Sequence, residues 1–233
     1  MKSEDKSPTS RVRLAVIGSG GVGKSALTVR YLTGRFIGEY RSNTDLLYNK
    51  IIKLEGGYTE VEIVDVYAGS EDDFPMEQVL WSDACMIVYN ITDRTSFEYA
   101  AKCLAELKSL QNGPIAYLVA NKADLDHLRK VQEKEGAALA ATHSIGFCEV
   151  SVAEYTPNLC KAFEILLLDS RARPHKTHRK FSVTKMLGTL IGGGSSSKTL
   201  AANHGTVIPC HKGELHKSRV LKRRQGFAAT TSL

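Results

Sequence analysis

The sequence is short of paired cysteines and of long apolar runs. Its five cysteines are scattered and form no C-x-x-C pair, so disulfide frameworks and structural zinc sites are disfavoured. No apolar run approaches the ~20 residues that span a bilayer. The polar start "MKSEDKSPTS" also lacks the apolar stretch of a secretory signal. These absences predict a reduced, cytoplasmic protein.

Acidic residues are nearly missing from the C-terminal part of the chain. Residues 171–233 contain 13 Lys or Arg and a single acid, Glu214, which gives a net charge of +12. Residues 1–170 contain 18 basic and 24 acidic residues, a net charge of −6. We therefore predict a disordered N-terminus at 1–10, a folded domain at 11–170 and a basic, mostly disordered tail at 171–233.

The tail contains one apolar stripe with helical spacing, within residues 181–191. Two interpretations stay open here: a short amphipathic helix that binds a membrane surface or a partner, and a solvated tail with chance apolar residues. The basic charge favours weak contact with anionic membranes, and nuclear or peripheral membrane locations remain alternatives to the cytoplasm. A basic cluster alone is weak evidence for nucleic-acid binding, which we do not expect.

Glycines are concentrated between an apolar strand and the start of a helix, in "GSGGVGKSAL". This stretch fits the pattern G-x-x-x-x-G-K-[ST], in which backbone N–H groups surround phosphates. Lys24 would reach the terminal phosphates and the Ser25 hydroxyl would bind Mg²⁺. A glycine-rich turn without a ligand is the alternative, and both flanks disfavour it. The predicted phosphate-binding residues are Gly18, Ser19, Gly20, Gly21, Val22, Gly23, Lys24, Ser25 and Ala26.

Short apolar strands alternate with helical patterns along the folded domain. Predicted strands lie near 12–17, 46–54, 58–65, 84–90, 115–120 and 146–149, and predicted helices near 24–33, 95–111, 131–142 and 157–169. Gly56 and Gly57 mark a hairpin between the second and third strands. We predict an α/β, three-layer P-loop NTPase fold, with a six-stranded, mostly parallel sheet and helices on both faces.

Polar residues follow three of the predicted strands, where the ligands of such a sheet bind. Asp65 is suited to hold a Mg²⁺-bound water. In "NKAD" the Asp124 carboxylate would accept both N1–H and the exocyclic amine of guanine, while Asn121 contacts the base and the Lys122 stem covers the ring. Backbone N–H groups of Ser151, Val152 and Ala153 would meet the guanine O6.

Together these motifs resemble the Ras superfamily of small GTPases over about residues 11–169. "SALTVRYLTGRFIGEY", "YNITDRTSFE" and "ANKADLDHLRKV" are most similar to the branch of the Ras-related and estrogen-regulated growth inhibitor and the Ras-like 11/12 proteins. The resemblance implies a monomer that binds GTP or GDP with Mg²⁺, packs Phe36 against the guanine edge-on, and meets effector, exchange or activating proteins through residues 37–48 and 66–80. Like that branch, the sequence "TTSL" carries no C-a-a-X cysteine, so we expect no prenyl anchor.

The chain departs from the family pattern at both switches. The family's Mg²⁺-binding threonine falls at Asn43 in an ungapped count, and Thr44 lies one residue later. The catalytic glutamine is replaced by Gly69 or by Ser70, depending on the alignment, although Lys24 is kept. Neither replacement orients a water as glutamine does. We therefore expect slow GTP hydrolysis, and the alternative is a non-cycling GTP-binding protein that acts as a fixed binding platform.

Overall fold

The computed structural model describes residues 10–38, 44–68, 73–154, 157–173 and 206–210. Its strands are β1 (Ser10–Ile17), β2 (Asp45–Leu54), β3 (Gly57–Asp65), β4 (Ala84–Asn90), β5 (Ile115–Asn121), β6 (Gly146–Glu149) and β7 (Thr206–Cys210). Its helices are α1 (Lys24–Thr33), α2 (Met76–Trp81), α3 (Arg94–Ser109), α4 (Glu133–His143) and α5 (Pro157–Ala172), and a 3₁₀ helix spans Ala123–Leu128.

The strands form one sheet in the order β6-β5-β4-β1-β3-β2-β7. Strands β1, β3, β4, β5 and β6 are parallel, whereas β2 runs antiparallel to β3 through the predicted hairpin. All seven residues of β4 are buried, as expected for a strand covered on both faces. The six predicted strands and the mostly parallel sheet are confirmed.

Helices cover both faces of the sheet, which confirms the three-layer arrangement. One apolar core lies under α1 and α5, where the Tyr31 and Phe163 rings stack with centroids 3.8 Å apart. The second core lies under α2, α3 and α4 and contains Trp81, Phe97 and Leu104. None of the helices in the described part of the chain is long and apolar enough to cross a membrane.

Local signals set where several helices begin and end. Gly34 adopts a left-handed conformation after α1 and donates its N–H to the Arg30 carbonyl at 2.8 Å. The Asp93 carboxylate caps α3 by accepting the Thr95 N–H. Both caps are encoded within a few residues of the helix ends that they stabilise.

Three elements were not predicted, and the first of them is the 3₁₀ helix Ala123–Leu128. Helix α2 was not predicted, because six residues are too few to show a helical period. Strand β7 was not predicted either, and it adds a seventh strand to the sheet by pairing antiparallel with β2. Its five residues lie in the segment that we expected to be mostly disordered. The apolar stripe at 181–191 lies outside the described residues.

Candidate nucleotide-binding site

The glycine-rich loop connects the end of β1 to the start of α1, and its backbone leaves no room for side chains at two positions. Gly23 has a φ of +97°, and a Cβ there would lie 2.4 Å from the Asn121 amide nitrogen. A Cβ on Gly18 would lie 2.3 Å from the carbonyl oxygen of Val88. Glycine is therefore required where this loop meets the ends of β4 and β5.

The Lys24 side chain folds back over this loop. Its ammonium donates to the carbonyls of Gly18 at 2.7 Å and Ser19 at 2.8 Å. Burial lowers the pKa of Lys24, while the carboxylates of Asp65 and Asp45 act in the opposite direction. A buried cation at the mouth of an N–H-rich loop is a strong local attractor for phosphate oxygens.

Ser25 and Asp65 form an oxygen pair beside Lys24. The Ser25 hydroxyl donates to the Asp65 carboxylate at 2.5 Å, across the gap between α1 and β3. Burial raises the pKa of Asp65 to about 6, against the lowering effects of the Ser25 hydrogen bond and of Lys24. A hydroxyl and a carboxylate are the hard oxygen donors that Mg²⁺ takes alongside phosphate and water oxygens.

These donors are too few for a metal site made of protein alone. Among the described residues there is no group of three or more His, Cys, Asp or Glu side chains that would hold a metal ion by itself. The residues present thus fit a Mg²⁺ ion that shares its coordination with a bound phosphate, since Mg²⁺ keeps several waters and few protein ligands.

Asn121 joins three loops at the carboxyl ends of the strands. Its side-chain N–H donates to the Val22 carbonyl at 2.8 Å, and its side-chain oxygen accepts the Val152 N–H at 3.2 Å. Asn121 is buried, so both bonds are shielded from water. The phosphate loop, the "NKAD" loop and the loop after β6 are consequently held in one arrangement.

One cleft of about 460 Å³ runs along these loops. It has Lys24, Ser25 and Asp65 in its lining together with Asp124 and Phe36. Its full lining is Gly20, Gly21, Gly23, Lys24, Ser25, Ala26, Phe36, Gly38, Thr44, Asp65, Val66, Tyr67, Ala68, Asn121, Lys122, Asp124, Val152 and Ala153. The volume and the mixture of apolar and polar groups suit a small-molecule ligand.

The sequence of the chain matches the Ras family model over residues 13–171. The chain belongs to the Ras family. Membership of this family makes it a Ras-like small GTPase, that is, a GTP-binding signalling protein.

Named relatives of this Ras-family chain fall in the branch that the sequence motifs indicated. It is 38% identical over 190 residues to the "Ras-related and estrogen-regulated growth inhibitor-like protein" of Bos taurus, covering 77% of this chain and 93% of the relative. It is 40% identical over 173 residues to "Ras-like protein family member 11B" of Danio rerio, covering 70% of each chain. The human "Ras-related and estrogen-regulated growth inhibitor" is 37% identical over 193 residues, with 77% of this chain and 96% of the relative covered.

Most predicted site residues of the Ras-family chain line the cleft or lie directly behind it. Gly18 and Ser19 offer their carbonyls to Lys24, Val22 offers its carbonyl to Asn121, and Ser151 is buried with its hydroxyl accepting the Glu154 N–H. Asn43, Gly69 and Ser70 lie outside the described residues, so the two switch positions stay predictions.

A buried acid at the start of β2 was not predicted as a functional residue. The Asp45 carboxylate accepts the Tyr67 backbone N–H at 2.7 Å and the Gln78 side-chain N–H at 2.6 Å. It thereby ties β2 to the segment after β3 and to α2. The only local signal is an acid at the first position of an apolar strand, and its partners lie 22 and 33 residues away in sequence.

Proposed function

We propose that this Ras-family protein binds GTP and GDP with Mg²⁺ and hydrolyses bound GTP slowly. The observation that carries the proposal is the single cleft that contains Lys24, Ser25 and Asp65 together with Asn121 and Asp124. Residues suited to bind phosphates and residues suited to bind a base thus line the same cleft, which is the arrangement that a nucleotide requires.

In this proposal the phosphate end is formed by the N–H groups of residues 18–26 and by Lys24. The ammonium would exchange its loop carbonyl partners for phosphate oxygens and neutralise charge that develops on them during hydrolysis. Ser25 and Asp65, with Asn43 or Thr44, would hold the metal. When bound, Mg²⁺ would supply positive charge that offsets the negative charge of the phosphates.

The base end would be formed by the loops after β5 and β6. Asp124 accepts the two guanine donors, the Lys122 stem covers one ring face, and the N–H groups of Ser151, Val152 and Ala153 meet O6. Lys122 has a positive φ of 66°, a backbone conformation uncommon outside glycine and typical of strained functional loops. Phe36 lines the cleft and is partly exposed, and its ring would pack against the guanine edge-on.

We also propose that protein partners bind around residues 37–48 and 66–80. Support comes from large apolar side chains that are exposed within or next to these segments: Phe36, Ile37, Tyr67, Met76 and Leu80. Exposed apolar side chains that form a contiguous patch mark protein interaction surfaces. We place the protein in the cytoplasm as a monomer, with its basic tail giving weak, salt-sensitive attraction to anionic membranes.

The proposed hydrolysis is slow because Gly69 and Ser70 offer no side chain that aligns the attacking water. In a single-turnover assay with GTP and Mg²⁺, we expect the full-length protein to be about tenfold slower than a glutamine-bearing relative measured alongside, equal to ~1.4 kcal/mol of barrier. Chelation of Mg²⁺ is expected to abolish turnover. A rate equal to the relative's would contradict the argument from the missing glutamine.

Two substitutions locate the missing group. The family pattern is D-x-A-G-Q. If its A-G pair corresponds to Ala68 and Gly69, the glutamine position is Ser70, and Ser70→Gln is expected to raise the rate. If its aspartate corresponds to Asp65 without a gap, the position is Gly69, and Gly69→Gln is expected to raise it. Each variant serves as the control for the other, since they differ only in the position of the same side chain. Tight GTP binding without turnover in all three proteins would favour the fixed binding platform over a cycling GTPase.

A further inference from the structure

Strand β2 has partners on both sides, and the outer one comes from the C-terminal tail. β2 pairs with β3 from Leu46 to Leu54 and with β7 along its first half, from Asp45 opposite Cys210 to Asn49 opposite Thr206. Without β7, the outer row of β2 backbone N–H and C=O groups would be open. Such an edge is a template on which another extended chain pairs.

β7 covers the half of β2 that carries no lysine to discourage strand addition. The uncovered half contains Lys50 and Lys53, both exposed, and lysine on an edge strand discourages strand addition. The covered half, "DLLYN", contains no lysine or arginine. The tail therefore pairs with the one stretch of this edge that is otherwise receptive to an extended chain.

β7 is suited to leave this edge as well as to cover it. It has five residues, and its Pro209 lacks an N–H, which confines proline to edge strands. The 32 residues between Arg173 and Thr206 reach about 100 Å when extended, so the tether does not force the pairing. The tail's net charge of +12 attracts it to the −6 remainder of the chain.

The covered edge begins next to the nucleotide cleft. Thr44, which lines the cleft, directly precedes β2. Asp45 then ties the start of β2 to Tyr67, which also lines the cleft, and to Gln78 of α2. A chain that binds this edge thus contacts a strand whose start adjoins Thr44 and is hydrogen-bonded to Tyr67, two residues that line the cleft.

We propose that β7 is an autoinhibitory strand, which occupies the edge of β2 to which an extended segment of a protein partner adds by backbone pairing. The proposal rests on the partner surface proposed above for residues 37–48. Because β7 is tethered, a partner competes against its high local concentration. Release of β7 exposes the backbone groups of Asp45–Asn49, and partner binding keeps it released.

The test uses the full chain with Val207→Pro and Ile208→Pro together. Neighbouring residues in a strand direct their N–H groups to opposite sides, so one of the two prolines removes a bond to β2. We expect hydrogen exchange at the β2 amides that do not bond β3 to be at least tenfold faster than in the unmodified protein. A fluorescent peptide of residues 203–213 is expected to bind the variant at least tenfold more tightly.

The matched control is the pair Ala201→Pro and Ala202→Pro, which places the same two prolines upstream of β7. It is expected to exchange and to bind peptide like the unmodified protein. Equal exchange in all three proteins, or equal peptide binding, would overturn the proposal. Bound guanine nucleotide is measured on the same samples. Its absence from all three proteins would overturn the proposed function, whereas the hydrogen-exchange comparison would still test whether β7 covers β2.

Discussion

Asp124→Asn is expected to lower the affinity for GDP by about 10²- to 10⁴-fold, because two charge-assisted hydrogen bonds of about 1.5–3 kcal/mol each are lost or weakened. In the proposed complex the carboxylate would accept both N1–H and the exocyclic amine of guanine, whereas an amide turns one acceptor into a donor. Xanthine carries an oxygen where guanine carries that amine. The variant is therefore expected to prefer XDP to GDP in equilibrium titrations.

Asp126→Asn is the matched control for this change. Asp126 lies two residues further along the same 3₁₀ helix, and its exposed carboxylate pairs with Arg129 at 2.6 Å. An exposed ion pair contributes at most about 1 kcal/mol, so this variant is expected to keep its preference for GDP. If Asp124→Asn also kept it, Asp124 would not be the base-selecting residue.

Gly23→Ala is expected to lower the melting temperature by about 10 °C. The positive φ costs an L-residue ~1–2 kcal/mol. The added Cβ also collides with the Asn121 amide, which bonds the Val22 carbonyl. Breaking that buried bridge costs a further ~1–3 kcal/mol. A loss of about 3–4 kcal/mol lowers the melting temperature by roughly 2–4 °C per kcal/mol in a domain of this size.

Gly20→Ala separates this collision from a general sensitivity of the loop to substitution. Gly20 lies in the same loop, and an added Cβ would meet no atom within 4 Å. Its melting temperature is expected to stay within about 2 °C of the unmodified protein, as for surface substitutions within ±0.5 kcal/mol. Thermal unfolding of the three proteins by circular dichroism checks this, and equal losses for both alanines would contradict the role given to the Asn121 contact.

The sheet and the central part of the site could be predicted because their signals are local. The stretch from Gly18 to Ser25 is contiguous, and its strand and helix flanks supply the context that the motif needs. Asp65 and "NKAD" are recognisable because each follows directly after an apolar strand. Parallel strands bring their carboxyl ends to one edge, so the clustering of these residues followed from the fold class.

The features that were not predicted depend on contacts distant in sequence. Strand β7 is five residues long and acquires its structure from β2, some 160 residues earlier. The importance of Asp45 depends on Tyr67 and Gln78, whose positions are known only once the sheet and α2 have formed. Asn121 was predicted as a base contact, but its bridge between Val22 and Val152 needed the assembled loops.

The nucleotide content of the purified protein tests most directly whether this chain binds guanine nucleotides. The protein is denatured, and the released nucleotides are separated and quantified against protein concentration. We expect close to one guanine nucleotide per chain, released when Mg²⁺ is chelated, and little adenine nucleotide. A protein that carries no nucleotide and does not take up GDP or GTP in Mg²⁺, or that binds adenine nucleotides equally well, would contradict it.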